Sequence, residues 1–411
     1  MQRINLFISL ILVLLLFACN ANDDSANEVK NIDLDTKSAQ LIEADNTFGL
    51  ELFQRIRETS DEENLMISPL SVSLALAMAY NGADNTTKAE MEHAMKLNGL
   101  STDQINNSYE MLVDALQSLD EDVVFEIANA IYYQEGFPVH QSFLDINQMV
   151  YKAEVESLQF GPAAVKTIND WVADKTHDKI KEIINDLSPD ARMVLLNAIY
   201  FYGTWAQEFD EDGTKMNRFT KNDGTILDVP MMSKTDKLQY STNESFSAIK
   251  LPYGNGQYQM VVMRPADGIT STDLIGELSM ENWNEWASQF SEQDNIMVTM
   301  PRFKFGFKSE LVEILKQMGM LKAFTTAADF SKISSEKLFI SDVIHKTYID
   351  VNETGTEAAA VTAIVFETTS VGPGPKKIYF TVDKPFVFAI TEKDTNAILF
   401  IGEVQNPEYE E

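Results

Sequence analysis

With one cysteine in 411 residues, the chain has no intrachain disulfide, and burial and hydrogen bonding must hold its fold together. Basic residues are scarce. Against 63 Asp and Glu stand 32 Lys and Arg, for a net charge of -31, and this excludes a nucleic-acid binder, because phosphate contacts need clustered cations. The acidic residues are scattered rather than blocked, which reads as a solubility device. Histidine is limited to His93, His140, His177 and His345; none opens an HExxH zinc motif or stands near a cysteine, so no metal or cofactor is expected. GxSxG elbows and glycine-rich phosphate loops are missing too. These absences argue against an enzyme and leave open only a Ser/His/Asp triad assembled by the fold from distant positions.

What is present begins at the N-terminus. Met1 to Ala18 carries Arg3 and then the apolar run from Leu6 through Phe17, built like an export signal. The run is shorter than the ~20 residues needed to cross a bilayer. Leu16-Phe17-Ala18-Cys19 resembles a bacterial lipobox, which implies cleavage after Ala18 and lipid attachment to Cys19. The alternative is an ordinary signal peptide, cut near Ala18 or Ala21 to give a secreted protein. Residues 19–38 are polar and acidic, suited to a flexible tether. Their acidity resembles surface-export signals of Gram-negative lipoproteins, so the expectation is an outer-membrane or cell-surface location, with membrane contact only through the lipid. No linker or repeat interrupts the remainder, and 45% hydrophobic residues supply a large core, so 39–411 reads as a single domain.

Local patterns give its elements. Ser68-Pro69 supplies an N-cap and a first-turn proline for a helix over Leu70–Tyr80 that is apolar nearly all round and hence buried. Val165, Ile168 and Val172 recur at helical spacing in the run ending at Ile184, and Ser309–Gly319 has a capped start and a glycine stop. Strand-like runs cover Val123–Tyr133, Met193–Tyr202, Tyr258–Met263, Ile296–Phe305, Phe386–Ile390 and Ala397–Val404, and Asn255-Gly256 marks a hairpin. Helices cluster early and strands late, so the fold class is α+β with large mixed or antiparallel sheets.

The stretch Asp350–Gly372 stands apart. It is proline-free, weakly charged and rich in β-branched residues, which is the composition of an edge-pairing hazard, yet it is bounded like a loop. Its alternation resolves the conflict. Thr356, Ala358, Ala360, Thr362, Ile364 and Phe366 form one face without charge, and Glu357 and Glu367 fall on the other. A strand that enters a sheet late needs this pattern. Its competitor is a helix started by Glu357-Ala358-Ala359-Ala360, since alanine is the best helix former.

Six segments in order carry a family resemblance. Glu353 followed by Gly355-Thr356-Glu357-Ala358-Ala359-Ala360 resembles the hinge of inhibitory serpins. Asn64 to Ser71, Leu196 to Trp205, Pro301-Arg302-Phe303, His345-Lys346 and Asp383 to Phe388 are similar to the family's other signatures. The resemblance implies the serpin fold, about nine helices around three β-sheets with an exposed reactive-centre loop near 353–377. It implies a sheet-opening cluster of Ser68, Ser71, Asn197, His345 and Trp205. It also implies a function without catalysis: a protease cuts the loop, and the loop's N-terminal arm inserts into the main sheet and traps the acyl-enzyme as an irreversible complex. A dozen new ladder bonds at about 1 kcal/mol net each are comparable with the roughly 5–15 kcal/mol that stabilises a whole domain.

Counting about seventeen residues from Glu353 in the family's manner puts the cleaved bond between Thr369 and Ser370, with Thr368 and Phe366 as alternatives. The Gly372-Pro373-Gly374-Pro375 insertion lengthens the far side of the loop and leaves the register open. A small β-branched residue there favours elastase- or subtilisin-like serine proteases as partners, with cysteine proteases as a further class. The protein is expected to act as a monomer. The runner-up function is a non-inhibitory lipoprotein of the same fold that serves as a binding or decoy substrate.

Overall fold

Helix Pro69–Tyr80 is the most apolar of the described helices, with every residue except Ala75 buried. Ser68 caps it by accepting the Ser71 amide at 3.2 Å, and Pro69 stands at the first turn, where no N–H is needed. Around this helix the computed structural model describes residues 32, 34–357, 377–407 and 409. Among them are nine α-helices and two hydrogen-bonded sheets, of nine and six strands, an α+β architecture. No helix among the described residues is long and apolar enough to cross a membrane. The expected third sheet is joined to another. Strand Ile226–Thr242, 17 residues long, pairs with Lys215–Thr220 along its first part, with Ser291–Pro301 from Met231 to Tyr240 and with Phe246–Tyr253 at its end, stitching two sheets into one.

The six-stranded sheet positions the site. Its order is Phe303–Glu310, Ile344–Val351, Gly355–Thr356, Met193–Thr204, Val123–Gln134 and Glu154–Leu158. One face carries Ala130, Tyr132, Leu196 and Ala198 against Ile168, Trp171 and Val172 of helix Pro162–Lys175 and against Ile180, Ile183 and Ile184 beyond it. Phe201, Ile349 and Val351 belong to the main core on the other side.

Three elements differ from their sequence patterns for local reasons. The helical periodicity through Ile184 ends at Lys175, because His177 and Asp178 adopt left-handed backbone angles and the Thr176 hydroxyl bonds Val172 O and the Ile180 amide; the isoleucines beyond pack on the sheet without a helix. The run Ile296–Phe305 is two strands, since the chain leaves one sheet at Pro301 and joins the other at Phe303. The helix expected from Ser309 spans Val312–Gln317, as Ser309 is held in register with His345 in the sheet. The hairpin at Asn255-Gly256 joins Phe246–Tyr253 to Tyr258–Pro265 as its glycines predict.

Candidate functional site

The hinge begins where Asn352 turns the chain back on itself. Its Oδ1 accepts the amides of Thr354 and Gly355 at 3.0 and 3.3 Å, an Asx-type reversal after strand Ile344–Val351. The chain then lays down two strand residues only. Thr356 pairs with Val351 on one side and Gly203 on the other, and Gly355 pairs with Thr204. Both contacts are antiparallel, so the flanking strands Met193–Thr204 and Ile344–Val351 run in the same direction with this wedge between them. Among the described residues no ladder pairs the two flanks directly. Gly355 is obligatory: a Cβ there would lie 2.1 Å from Gly203 O.

Polar contacts fix the wedge. The Trp205 amide donates to Thr354 O at 2.8 Å and its indole Nε1 to Asn352 O at 3.0 Å, while its ring stacks on Tyr253 at 4.4 Å. The Tyr253 hydroxyl meets the Thr356 hydroxyl at 2.6 Å. Glu353 is 3% exposed; Arg302 Nε donates to its carboxylate at 2.8 Å, the Thr214 hydroxyl donates to the same oxygen, and the Phe209 amide bonds its carbonyl at 2.9 Å. Below the wedge lies a cavity lined by Ile199, Tyr200 and Phe201 of one flank, Thr347, Tyr348 and Ile349 of the other, and Thr356, Glu357, Lys179 and Ile180.

Lower in the same gap, one helix cap grips both flanks. The Ser68 amide donates to His345 Nε2 at 3.0 Å on one flank, and the Ser71 hydroxyl donates to Asn197 Oδ1 on the other. Asn197 Nδ2 continues to Asn129 Oδ1 at 2.8 Å, and Asn129 Nδ2 to Tyr151 O at 2.7 Å. Burial pushes the His345 imidazole down to about 4, so the ring is neutral at neutral pH and Nε2 is free to accept. Spreading the flanks therefore means exchanging these bonds.

The structure thus brings Ser68, Ser71, Asn197 and His345 together, and Trp205 joins the hinge rather than this cluster. Trp205 meets the backbone on either side of Glu353, whereas the Glu353 carboxylate turns to Arg302 and Thr214. Sequence reasoning missed Asn129, Tyr253, and Arg302 as the partner of Glu353. Asn129 had a readable signal, being in register with Asn197 on the neighbouring strand. At Glu357 the backbone is left-handed, φ 59°. Ala358, Ala359, Ala360, Phe366, Thr368, Thr369, Ser370 and Cys19 lie outside the described residues.

Comparison with known proteins agrees with this geometry. A sequence model of the family described as "Serpin (serine protease inhibitor)" matches residues 43–407. An "Uncharacterized serpin-like protein" of Methanosarcina acetivorans is 36% identical over 377 residues, 90% of this chain and 88% of its own. The crystal structure of the thermophilic serpin tengpin in the native state matches with a TM-score of 0.81 at 32% identity, over 92% of this chain and 96% of that one. Thyroxine-binding globulin in complex with thyroxine matches with a TM-score of 0.80 at 26% identity, over 90% and 99%. Because the family match takes in the helix cap, both flanking strands and the hinge between them, the chain belongs to the serpin family.

Proposed function

We propose that this serpin is an irreversible inhibitor of serine proteases, elastase- or subtilisin-like ones foremost, and that it traps the acyl-enzyme by inserting its cleaved loop into the six-stranded sheet. The observation that carries the reading is the two-residue wedge: Gly355 and Thr356 stand between two strands running the same way, with a cavity continuing beneath them. An arm that continued the wedge would be antiparallel to both flanks and would complete their hydrogen bonding. About fourteen residues at roughly 3.3 Å each would carry an attached protease on the order of 45 Å across the molecule. The uncharged face of Thr356, Ala358, Ala360, Thr362, Ile364 and Phe366 suits that burial. Cleavage is assigned to Thr369-Ser370, with Thr368 and Phe366 as the alternatives.

The test is direct. Mixed with an elastase- or subtilisin-like protease, the protein is expected to give a covalent, detergent-stable complex and a C-terminal fragment beginning near Ser370. Recovery of fully active protease beside cleaved protein alone would instead establish a decoy substrate. A cysteine protease in the same panel reports whether that class is trapped as well.

The proposal extends to export and anchoring through Cys19, supported by Arg3, the apolar run and the acidic tether. The mature N-terminus is expected to carry an acyl mass and to fractionate with membranes, both lost in Cys19→Ser. An unacylated N-terminus near Ala18 or Ala21 would mean plain secretion.

A further inference from the structure

The wedge stops at Glu357, and the reason lies in that residue. Its φ of 59° turns the chain out of the extended course, its amide donates to Asp350 O at 2.6 Å, and its side chain, 3% exposed, occupies the cavity between the flanking strands. The carboxylate is poorly matched there. Oε2 has no hydrogen-bond partner, and the nearest cation, Lys179 Nζ, stands 3.7 Å away, beyond hydrogen-bond reach. Lys179 is itself drawn over the Tyr348 ring at 5.2 Å.

The charged and titratable groups facing this carboxyl come from every neighbouring element. The segment after helix Pro162–Lys175 brings Lys179 and His177; His177 meets Glu126 of strand Val123–Gln134 at 2.9 Å and lies 4.3 Å from the Tyr200 ring. Strand Met193–Thr204 brings Tyr200. Strand Ile344–Val351 brings Tyr348 and Asp350, and Lys304 of strand Phe303–Glu310 lies 3.6 Å from Asp350. One lysine out of hydrogen-bond range and the Tyr200 hydroxyl do not offset the cost of burying a charged carboxylate beside Asp350.

We propose that Glu357 is a proton-operated latch of the hinge: in its neutral form it sits in the cavity and keeps Gly355 and Thr356 in the sheet, and on ionising it withdraws to water and releases them. Burial pushes the seated carboxyl up to about 7, against the lowering pull of Lys179 and Tyr200, whereas a glutamate released to water keeps its ordinary 4.5. The sign follows from the raised value. The seated hinge takes up a proton, so seating is strongest below pH 4.5, weakens by about tenfold per pH unit as pH rises toward about 7, and is level above it. The latch rests on reading Glu353–Glu357 as the hinge of an inserting arm.

Amide hydrogen exchange on the intact, uncleaved protein tests it without any protease, so latch and trapping can fail separately. The Glu357 amide, bonded to Asp350 O, is expected to lose protection by about tenfold or more between pH 5 and pH 8 after correction for intrinsic exchange. Glu357→Gln, always neutral, is expected to stay protected across the range. Lys179→Met removes the cation and is expected to move the midpoint upward, a displacement that a merely structural role would not produce. The core strand Ile398–Val404 serves as the control for folding in each variant. A flat wild-type profile overturns the latch. So does a pH dependence that survives in Glu357→Gln, or one that vanishes in His177→Gln.

Discussion

Thr356→Arg is expected to abolish covalent trapping by this serpin while leaving loop cleavage intact. Thr356 is 2% exposed, its hydroxyl is engaged by Tyr253, and it sits between Gly203 and Val351 at the mouth of the gap. In the proposed mechanism it is the first residue of the arm whose side chain must be in the sheet when insertion begins. A guanidinium at this position has no carboxylate within the lining of the cavity except Glu357, and burying it costs several kcal/mol. Trapping as proposed is a race between insertion and deacylation. If only about 3 kcal/mol of that cost appears in the insertion barrier, insertion slows by roughly a hundredfold, and deacylation wins. The readout is the ratio of complex to cleaved, released product. Thr356→Val provides the matched control: it loses one neutral hydrogen bond, worth about 1 kcal/mol, and is expected to keep most of the trapping. Full complex yield from Thr356→Arg would refute insertion through this gap.

The described start of the hinge was legible because Gly355-Thr356 opens a period-two pattern, and these two residues lie in the sheet. Helix Pro69–Tyr80 was legible for a similar reason, as an all-apolar helix with a cap admits only a buried position. The cluster of Ser68, Ser71, Asn197 and His345 came from family resemblance. No local pattern links a helix cap to asparagines and a histidine that approach it only after the sheet forms.

Contacts set by topology were harder to see. Arg302 and Glu353 lie 51 positions apart, the first at the point where the chain changes sheets and the second in the turn after strand Ile344–Val351. Glu357 is the most informative difference. Alternation put its side chain on the face opposite Thr356, which an isolated sheet would expose to water. That face is covered by Lys179 and Ile180, because the helix before them ends at Lys175. A period-four pattern through Ile184 concealed the cover, and with it the burial of a carboxylate.

Glu353→Lys is expected to be strongly destabilising at the hinge. In the native chain Glu353 accepts from Arg302 Nε at 2.8 Å and from the Thr214 hydroxyl, with its side chain 4% exposed and that of Arg302 21% exposed. Lysine there removes the acceptor from both partners and sets a second cation against Arg302 where water screens little. Breaking a buried pair from one side costs about 3–5 kcal/mol. The loss falls on the segment that carries the wedge, since the Glu353 carbonyl and its neighbours Asn352 and Thr354 are the groups that Phe209 and Trp205 hold. A lower unfolding midpoint in denaturant and faster exchange of the Trp205 amide are the expected observations. Glu353→Gln separates charge from shape: it keeps an acceptor for Thr214 and is expected to lose about 1–2 kcal/mol. Arg302→Glu combined with Glu353→Lys restores opposite charges and should recover part of the stability, with a coupling energy of about 1 kcal/mol or more. If Glu353→Lys leaves the midpoint unchanged, the ion pair does not hold the hinge, and the wedge must rest on the Trp205 and Tyr253 contacts alone.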